Sequence, residues 1–290
     1  MSIAIVSDSG ARFSNNRLVQ QYPLTVVPYI LDVGGKQFRE DIDLTNEEMI
    51  GLIRVNSKPP SVVAPDVQDY LDVYTRLLRG YDQIISIHTS REITKSWYNA
   101  REAAQQLGGD EVITVVDTRT ICAGQGMLVR LAGDSIIKGN DFDTVVQTVR
   151  KAVERIFSVY YVDTLTFLQH NGIFSEARTI LGAMLNIKPF LAIEEGKPIV
   201  TEKVKSRSQA IDRMVEFLVE FDEIDDAAIV QNREHITEQA RLLQDRLSVE
   251  FPGKHFPYSM YGLALAGLFG GDATGVVVLE SEIEGFDDEY

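Results

Sequence analysis

Residues 83–138 read QIISIHTSREITKSWYNAREAAQQLGGDEVITVVDTRTICAGQGMLVRLAGDSIIK, and this stretch decides the fold. Gln83–His88 is a short Ile-rich run, Thr94–Leu107 has helical spacing, Glu111–Val116 is a second apolar run and Ala123–Lys138 a second helix. Strands and helices alternating at this spacing predict an α/β fold with a mostly parallel sheet flanked by helices on both faces.

Working outward, Ile3–Ser7 reads as a buried strand running into a turn at Asp8-Ser9-Gly10. Leu24–Leu31 is a further strand candidate, turned back toward Phe38 by Gly34-Gly35. Thr45-Asn46-Glu47-Glu48 carries the start signals of a helix. After the break at Lys58-Pro59-Pro60, Asp66–Leu78 is amphipathic, with Val67, Leu71, Tyr74, Leu77 and Leu78 on one stripe. The texture changes after Thr144–Ile156. Strand and short-helix material surrounds Asp163, and helices are expected over Ser175–Leu185, Ser208–Phe221 and His235–Arg246. Strands are expected over Lys188–Ile193, Lys197–Val204, Ala227–Gln231 and Val276–Glu280. The division this suggests is an N-terminal α/β domain over 1–159 and a C-terminal α+β domain over 160–290, with a frayed acidic tail from Glu282.

The 290 residues carry a net charge of −15, which opposes bulk electrostatic binding of nucleic acid or anionic lipid. Cys122 is the single cysteine, so no intrachain disulfide and no Cys-rich metal site can form. The N-terminus lacks the basic region of a signal peptide, and no run of 18 apolar residues offers a membrane span. A cytoplasmic setting is expected.

Asp8 after a first strand invites a phosphoryl-transfer reading, but the second acid that chemistry needs two residues on is replaced by Gly10. The plainer reading makes Asp8 an acceptor of backbone hydrogen bonds in a βα turn. His88, His170, His235 and His255 show no metal-ligand spacing, and only His88 ends a strand where α/β sheets present ligands. Cys122-Ala123-Gly124-Gln125-Gly126 lacks a dinucleotide fingerprint and reads as close packing of helix on sheet. Ser86–Ser96 is the richest segment: a loop leaving a strand and opening a helix, with hydroxyls that either receive a carboxylate or phosphate or serve as caps.

In order and spacing these pieces resemble the DegV family over almost the whole chain. Ile5-Val6-Ser7-Asp8-Ser9-Gly10 stands where the family has a strand and Asp-Ser-Thr, followed by Val26-Val27-Pro28-Tyr29 and Glu40-Asp41-Ile42-Asp43-Leu44. The family's Leu-Ser-Gly-Thr matches Ile93-Thr94-Lys95-Ser96, with His88 and Ser90 in register ahead of it. Asp117-Thr118-Arg119, Ala123–Gly126, Leu181–Pro189 and Lys203-Val204-Lys205-Ser206-Arg207 follow at the family's distances. The resemblance implies a non-catalytic carrier with no cofactor. Its ligand would be one long-chain fatty acid, such as palmitate, stearate or oleate, in a tunnel between two domains. In some members a separate fatty-acid kinase receives the ligand.

Three departures fall where the head group belongs. The family's threonine becomes Val62, its histidine becomes Leu268 in the segment containing Gly270, and an arginine becomes Ile173. Thr94 remains the best ligand, with Lys95, Ser96, His88 and Ser90 beside it; Ser61 is a partial substitute for the lost threonine and Lys205 a source of positive charge. Each buried CH₂ contributes about 0.8 kcal/mol, so about fourteen give roughly 11 kcal/mol gross. One or two lost hydrogen bonds at about 1–3 kcal/mol each weaken such binding without abolishing it. The alternatives are a carrier for a neutral or bulkier lipid, motivated by Val62 and Leu268, and an Asp-dependent phosphoryl-transfer or hydrolytic enzyme using Asp8 and Asp117.

Overall fold

The computed structural model describes residues 2–282 except 16, 18, 19, 57 and 175–187. The expected helix over Ser175–Leu185, most of the Leu181–Pro189 match and the acidic tail beyond residue 282 lie outside the described residues.

Three sheets organise the chain. The first has the order β2 (Leu24–Val27), β1 (Ile3–Asp8), β6 (Gln83–His88), β7 (Ile113–Asp117), and every pairing in it is parallel. Side chains alternate along these strands, as a period of two requires. Ala4, Val6 and Ile84 pack under α2 (Val67–Leu77) and α3 (Ser96–Gln106) with Tyr70, Tyr74, Ala100 and Ala103. Ile3, Ile5, Ile85 and Ile87 face the opposite way, toward α4 (Ala123–Ile137) and α5 (Phe142–Val153). The expected parallel sheet with helices on both faces is present.

The second sheet has the order β10 (Lys197–Val204), β9 (Lys188–Glu194), β8 (Ile156–Tyr161), β13 (Thr274–Glu280), β11 (Ile224–Gln231), β12 (Tyr258–Met260). It is antiparallel except where β12 joins β11. Helices α7 (Arg207–Val219) and α8 (Glu238–Glu250) cover one side through Met214, Leu218, Leu243 and Leu247. Helix α4 lies between the two sheets, which explains why it is apolar nearly all round, with small residues at positions 123, 124, 126, 132 and 133.

A small third sheet, β4 (Lys36–Arg39), β3 (Ile30–Val33) and β5 (Ser61–Val63), sits against α9 (Leu263–Phe269). The expected single strand over Leu24–Leu31 is therefore two strands in two sheets. Pro28 falls at the break, where it has no N–H to give a ladder. Gly34 and Gly35 close the β3–β4 hairpin at φ 63° and 88°, a left-handed pair that other residues adopt with strain. Helix α1 (Asn46–Val55) starts with a complete capping box between Thr45 and Glu48, as its start signals predict.

Candidate functional site

In the first sheet the strand order reverses between β1 and β6, so the crevice beyond their C-terminal ends is where an α/β sheet presents ligands. Asp8 ends β1 and His88 ends β6, and both are 0% exposed. Oδ1 of Asp8 accepts from the Gly10 amide (3.1 Å), Thr89 Oγ1 (2.9 Å) and Gln125 Nε2 (2.9 Å). Oδ2 accepts from the Thr89 amide (3.1 Å) and Ser96 Oγ (2.5 Å), and lies 3.1 Å from His88 Nδ1. The other ring nitrogen of His88 is 2.6 Å from Ser86 Oγ, which is 2.8 Å from the Tyr74 hydroxyl. Tyr70 OH reaches Ser96 Oγ at 2.6 Å. Burial alone would raise the Asp8 carboxyl, but the hydrogen bond and charge of His88, with Ser96 and Gln125, outweigh it and hold the carboxyl below its ordinary value.

This buried cluster supports the loop that follows it. The amides of Ile93 and Thr94 both donate to the Ser90 carbonyl, closing a turn that brings the chain into α3. Ser90 Oγ donates to the Gly196 carbonyl in the β9–β10 turn (2.8 Å), tying the loop to the second sheet. Thr94 is half-buried, its Oγ1 2.8 Å from the Tyr29 hydroxyl and accepting from the Ser96 amide at 3.3 Å. No side chain of Lys95 caps the first amides of α3, and its ammonium group is exposed. A half-buried hydroxyl beside an open helix N-terminus suits an anionic or acceptor head group.

Asn171, at the end of α6 (Thr166–His170), ties β5 to α9. Its Oδ1 accepts from the Val62 amide (2.8 Å), and its Nδ2 donates to the carbonyls of Pro60 (3.2 Å), Phe167 (3.0 Å) and Gly267 (3.1 Å). Ser61 Oγ lies 3.1 Å from His170 Nε2. A Cβ on Gly267 would stand 2.5 Å from Val62 Cγ2, so only glycine lets β5 approach α9 this closely. Val62 and Leu268 thus belong to one apolar contact region, with Leu268 1% exposed. Gly270 follows at φ 91°, its carbonyl accepting from Tyr261 OH at 3.3 Å.

The structure brings Thr94, Ser96, His88 and Ser90 into one loop and its supporting cluster, and Ser61 and Val62 into the Asn171 junction. Lys205 is exposed just before α7, with its amide on Gln209. Sequence reasoning passed over Tyr29, Tyr70, Ser86, Thr89 and Gln125 as cluster members. Ser86 and Thr89 fall inside the hydroxyl-rich Ser86–Ser96 segment, and Gln125 is a polar residue inside a glycine-rich helix start, but no spacing joins them to Asp8. Ala123–Gly126 is closely packed, on a strand at Gly124, where a Cβ would stand 3.0 Å from Ile156 Cγ2 of β8, and on the loop after β1 at Gly126, where one would stand 1.9 Å from the Arg12 carbonyl.

A separate open cleft of about 1070 Å³ includes Ser9, Arg12, Glu40, Asp41, Glu234 and His235 in its lining, together with further acids, and shares no residue with the Thr94 group. Its carboxylates oppose an anionic head group. Among the described residues no cluster of His, Cys, Asp and Glu could hold a metal ion, and no helix is long and apolar enough to cross a membrane.

A family model described as "uncharacterised protein, DegV family" matches residues 2–281. The chain is similar to a fatty-acid-binding DegV family protein of Streptococcus agalactiae, with 25% identity and a TM-score of 0.89 over 97% of this chain and 100% of that one. It is also similar to DegV, a fatty-acid-binding protein from Bacillus subtilis, with 26% identity and a TM-score of 0.83 over 97% of this chain and 100% of that one. The fold extends to the Streptococcus pneumoniae fatty acid kinase B3 protein loaded with linoleic acid, at 19% identity and a TM-score of 0.81 over 97% and 100% of the two chains.

Proposed function

This chain belongs to the DegV family, and on that footing we propose that it binds one long-chain fatty acid and performs no chemistry on it. The proposed tunnel runs at the junction of residues 1–159 and 160–290, with the carboxylate held by Thr94 and the first amides of α3. Palmitate, stearate and oleate are the ligands of choice, no cofactor is required, and the setting is the cytoplasm. The observation that carries this reading is the full-length likeness to the S. agalactiae and B. subtilis fatty-acid-binding proteins at 25% and 26% identity. Handing the bound acid to a separate kinase is the partner role we attach to it, by analogy with the S. pneumoniae protein.

The Asp8 cluster supports a carrier over an enzyme. A nucleophilic carboxylate must reach its substrate, whereas Asp8 is fully buried and both its oxygens are occupied by neighbours in the chain. A second reading, a ligand with a neutral or bulkier head group, is favoured by the apolar side chains of Val62 and Leu268, both part of the main apolar cluster, in place of two polar ligands.

Calorimetric titration of delipidated protein with palmitate is expected to show saturable one-to-one binding with a negative heat-capacity change. Thr94→Val should weaken it about tenfold, the loss of one hydrogen bond to a charged acceptor. No saturable binding of palmitate or oleate would reject the fatty-acid reading. Tight binding of a neutral lipid alone would favour the second.

A further inference from the structure

The open cleft of about 1070 Å³ brings two sheet edges together: Leu24 and Val26 of β2 and Met260 of β12 are in its lining. Strand β2 is the edge of the first sheet and β12 the edge of the second, and among the described residues no strand pairs with the outer side of either. In a parallel ladder, alternate residues turn their N–H and C=O to the neighbouring strand and those between turn theirs away. The Pro23 and Val27 carbonyls accept from the amides of Ile5 (2.9 Å) and Ser9 (3.0 Å), so the Leu24 carbonyl and both peptide groups of Val26 point outward. In β12 the Pro257 carbonyl accepts from the Ile229 amide (2.8 Å) and the Tyr261 amide donates to the Gln231 carbonyl (2.9 Å), which turns Met260 outward by the same rule.

Sheet edges are ordinarily guarded by a charged side chain on the strand or by a covering element. Strand β2 reads Leu-Thr-Val-Val, with no charge, and Val26 is 43% exposed. Pro23 and Pro28 limit its length. The rim of the cleft carries one sign: Asp41, Asp43, Glu47, Glu48 and Glu234 line it, and the single guanidinium in the lining, Arg12, is already held by Glu40 and Asp41. Glu47 and Glu234 are exposed and have no ion-pair partner among the described residues. Two such rims repel each other, so the charge disfavours a second copy of this chain and favours a cationic occupant.

We propose that this cleft is a docking site for an extended basic segment of another protein, which adds to the outer edge of β2 as a further strand. Its backbone pairs with the outward groups of Leu24 and Val26, its apolar side chains lie beside theirs, and its Lys or Arg side chains meet the acidic rim. The proposal goes beyond the lipid reading and is independent of it, since the cleft shares no residue with the Thr94 group.

The probe is a fluorescent peptide of about eight residues alternating Lys and Val, within the usual length of a strand. Anisotropy titration of the full chain is expected to show saturable one-to-one binding, about tenfold weaker when the peptide's backbone amides are N-methylated and undetectable for a Glu–Val counterpart. Hydrogen exchange should slow at the Val26 amide in the complex. Val26→Pro deletes the outward N–H without touching the ladder to β1, a change that edge strands accept. It should weaken binding about tenfold, with thermal unfolding as the check on folding. Glu47→Gln combined with Glu234→Gln leaves β2 intact and should weaken binding about fivefold while flattening its salt dependence. No saturable binding, equal binding of the Lys and Glu peptides, or unchanged binding in folded Val26→Pro or in the Gln pair overturns the proposal. So does a dimer of the chain that Val26→Pro dissociates, which would assign the edge to a second copy.

Discussion

Asp8→Ala is expected to lower the stability of the folded protein by about 3–5 kcal/mol at pH 7, the loss typical of breaking a buried ionic hydrogen-bonded site on one side. The magnitude follows from what the carboxylate leaves behind: Ser96, Thr89, Gln125 and His88 would each lose the buried acceptor they share. Asp8→Asn keeps the shape and one carbonyl oxygen, so it should lose less. The pH dependence identifies the group. The folded carboxyl sits below its ordinary value of 3.8, so the stabilisation it provides is complete above that pH. It is lost as pH falls through the folded value. Urea unfolding of wild type and Asp8→Asn should therefore give curves that converge below about pH 4. A gap that stays constant down to strong acid would mean that Asp8 contributes shape alone.

The second large effect belongs to Arg12. Glu40 is 1% exposed, accepts from Ser9 Oγ (2.5 Å) and the Ala264 amide (3.1 Å), and pairs with Arg12 Nη2. Arg12 also holds Asp41 at 2.8 Å. These bonds clamp the turn after β1 to Glu40 and to the start of α9. Burial keeps the Glu40 carboxyl above its ordinary value even though Arg12 opposes the shift. Arg12→Ala should therefore strand a buried carboxylate and destabilise by about 3–5 kcal/mol at neutral pH. Adding Glu40→Gln should recover part of that loss, because the stranded charge is gone. A raised folded value means that the penalty is present at high pH and relieved as the carboxyl takes up a proton. Arg12→Ala should thus gain on wild type as pH is lowered from 7 toward 5. Equal stability of the single and double variants at pH 7 would show that the Glu40 charge is not what the guanidinium supports.

The parts of this architecture that local pattern determines were readable. The Ile-rich runs at Gln83 and Glu111 and the helices between them specify parallel crossovers whatever lies far away, and Thr45-Asn46-Glu47-Glu48 contains its whole cap. Long-range pairing was not readable. Nothing in Thr274–Glu280 says that it will lie between β8 and β11 in the middle of the second sheet, because a strand's neighbours are chosen by the whole core. Helix α8 runs Glu238–Glu250, later than the His235–Arg246 expected, because Thr237 supplies the cap.

The site divides in the same way. Asp8 as an acceptor in a βα turn follows from its place after a strand, and its bond from the Gly10 amide agrees. Its ties to Thr89, Ser96 and Gln125 span 81 to 117 residues, so no spacing rule reaches them. Tyr70 shows the limit most clearly: its spacing of three from Val67 and four from Tyr74 puts it on the buried face of α2, but no periodicity tells that its hydroxyl will reach Ser96.

The most direct test of the carrier account is native mass spectrometry of the full chain as purified. The expected spectrum shows the protein with one bound molecule of the mass of a long-chain fatty acid, displaced on incubation with excess oleate. A spectrum of protein alone, unchanged after incubation with palmitate or oleate, would contradict it.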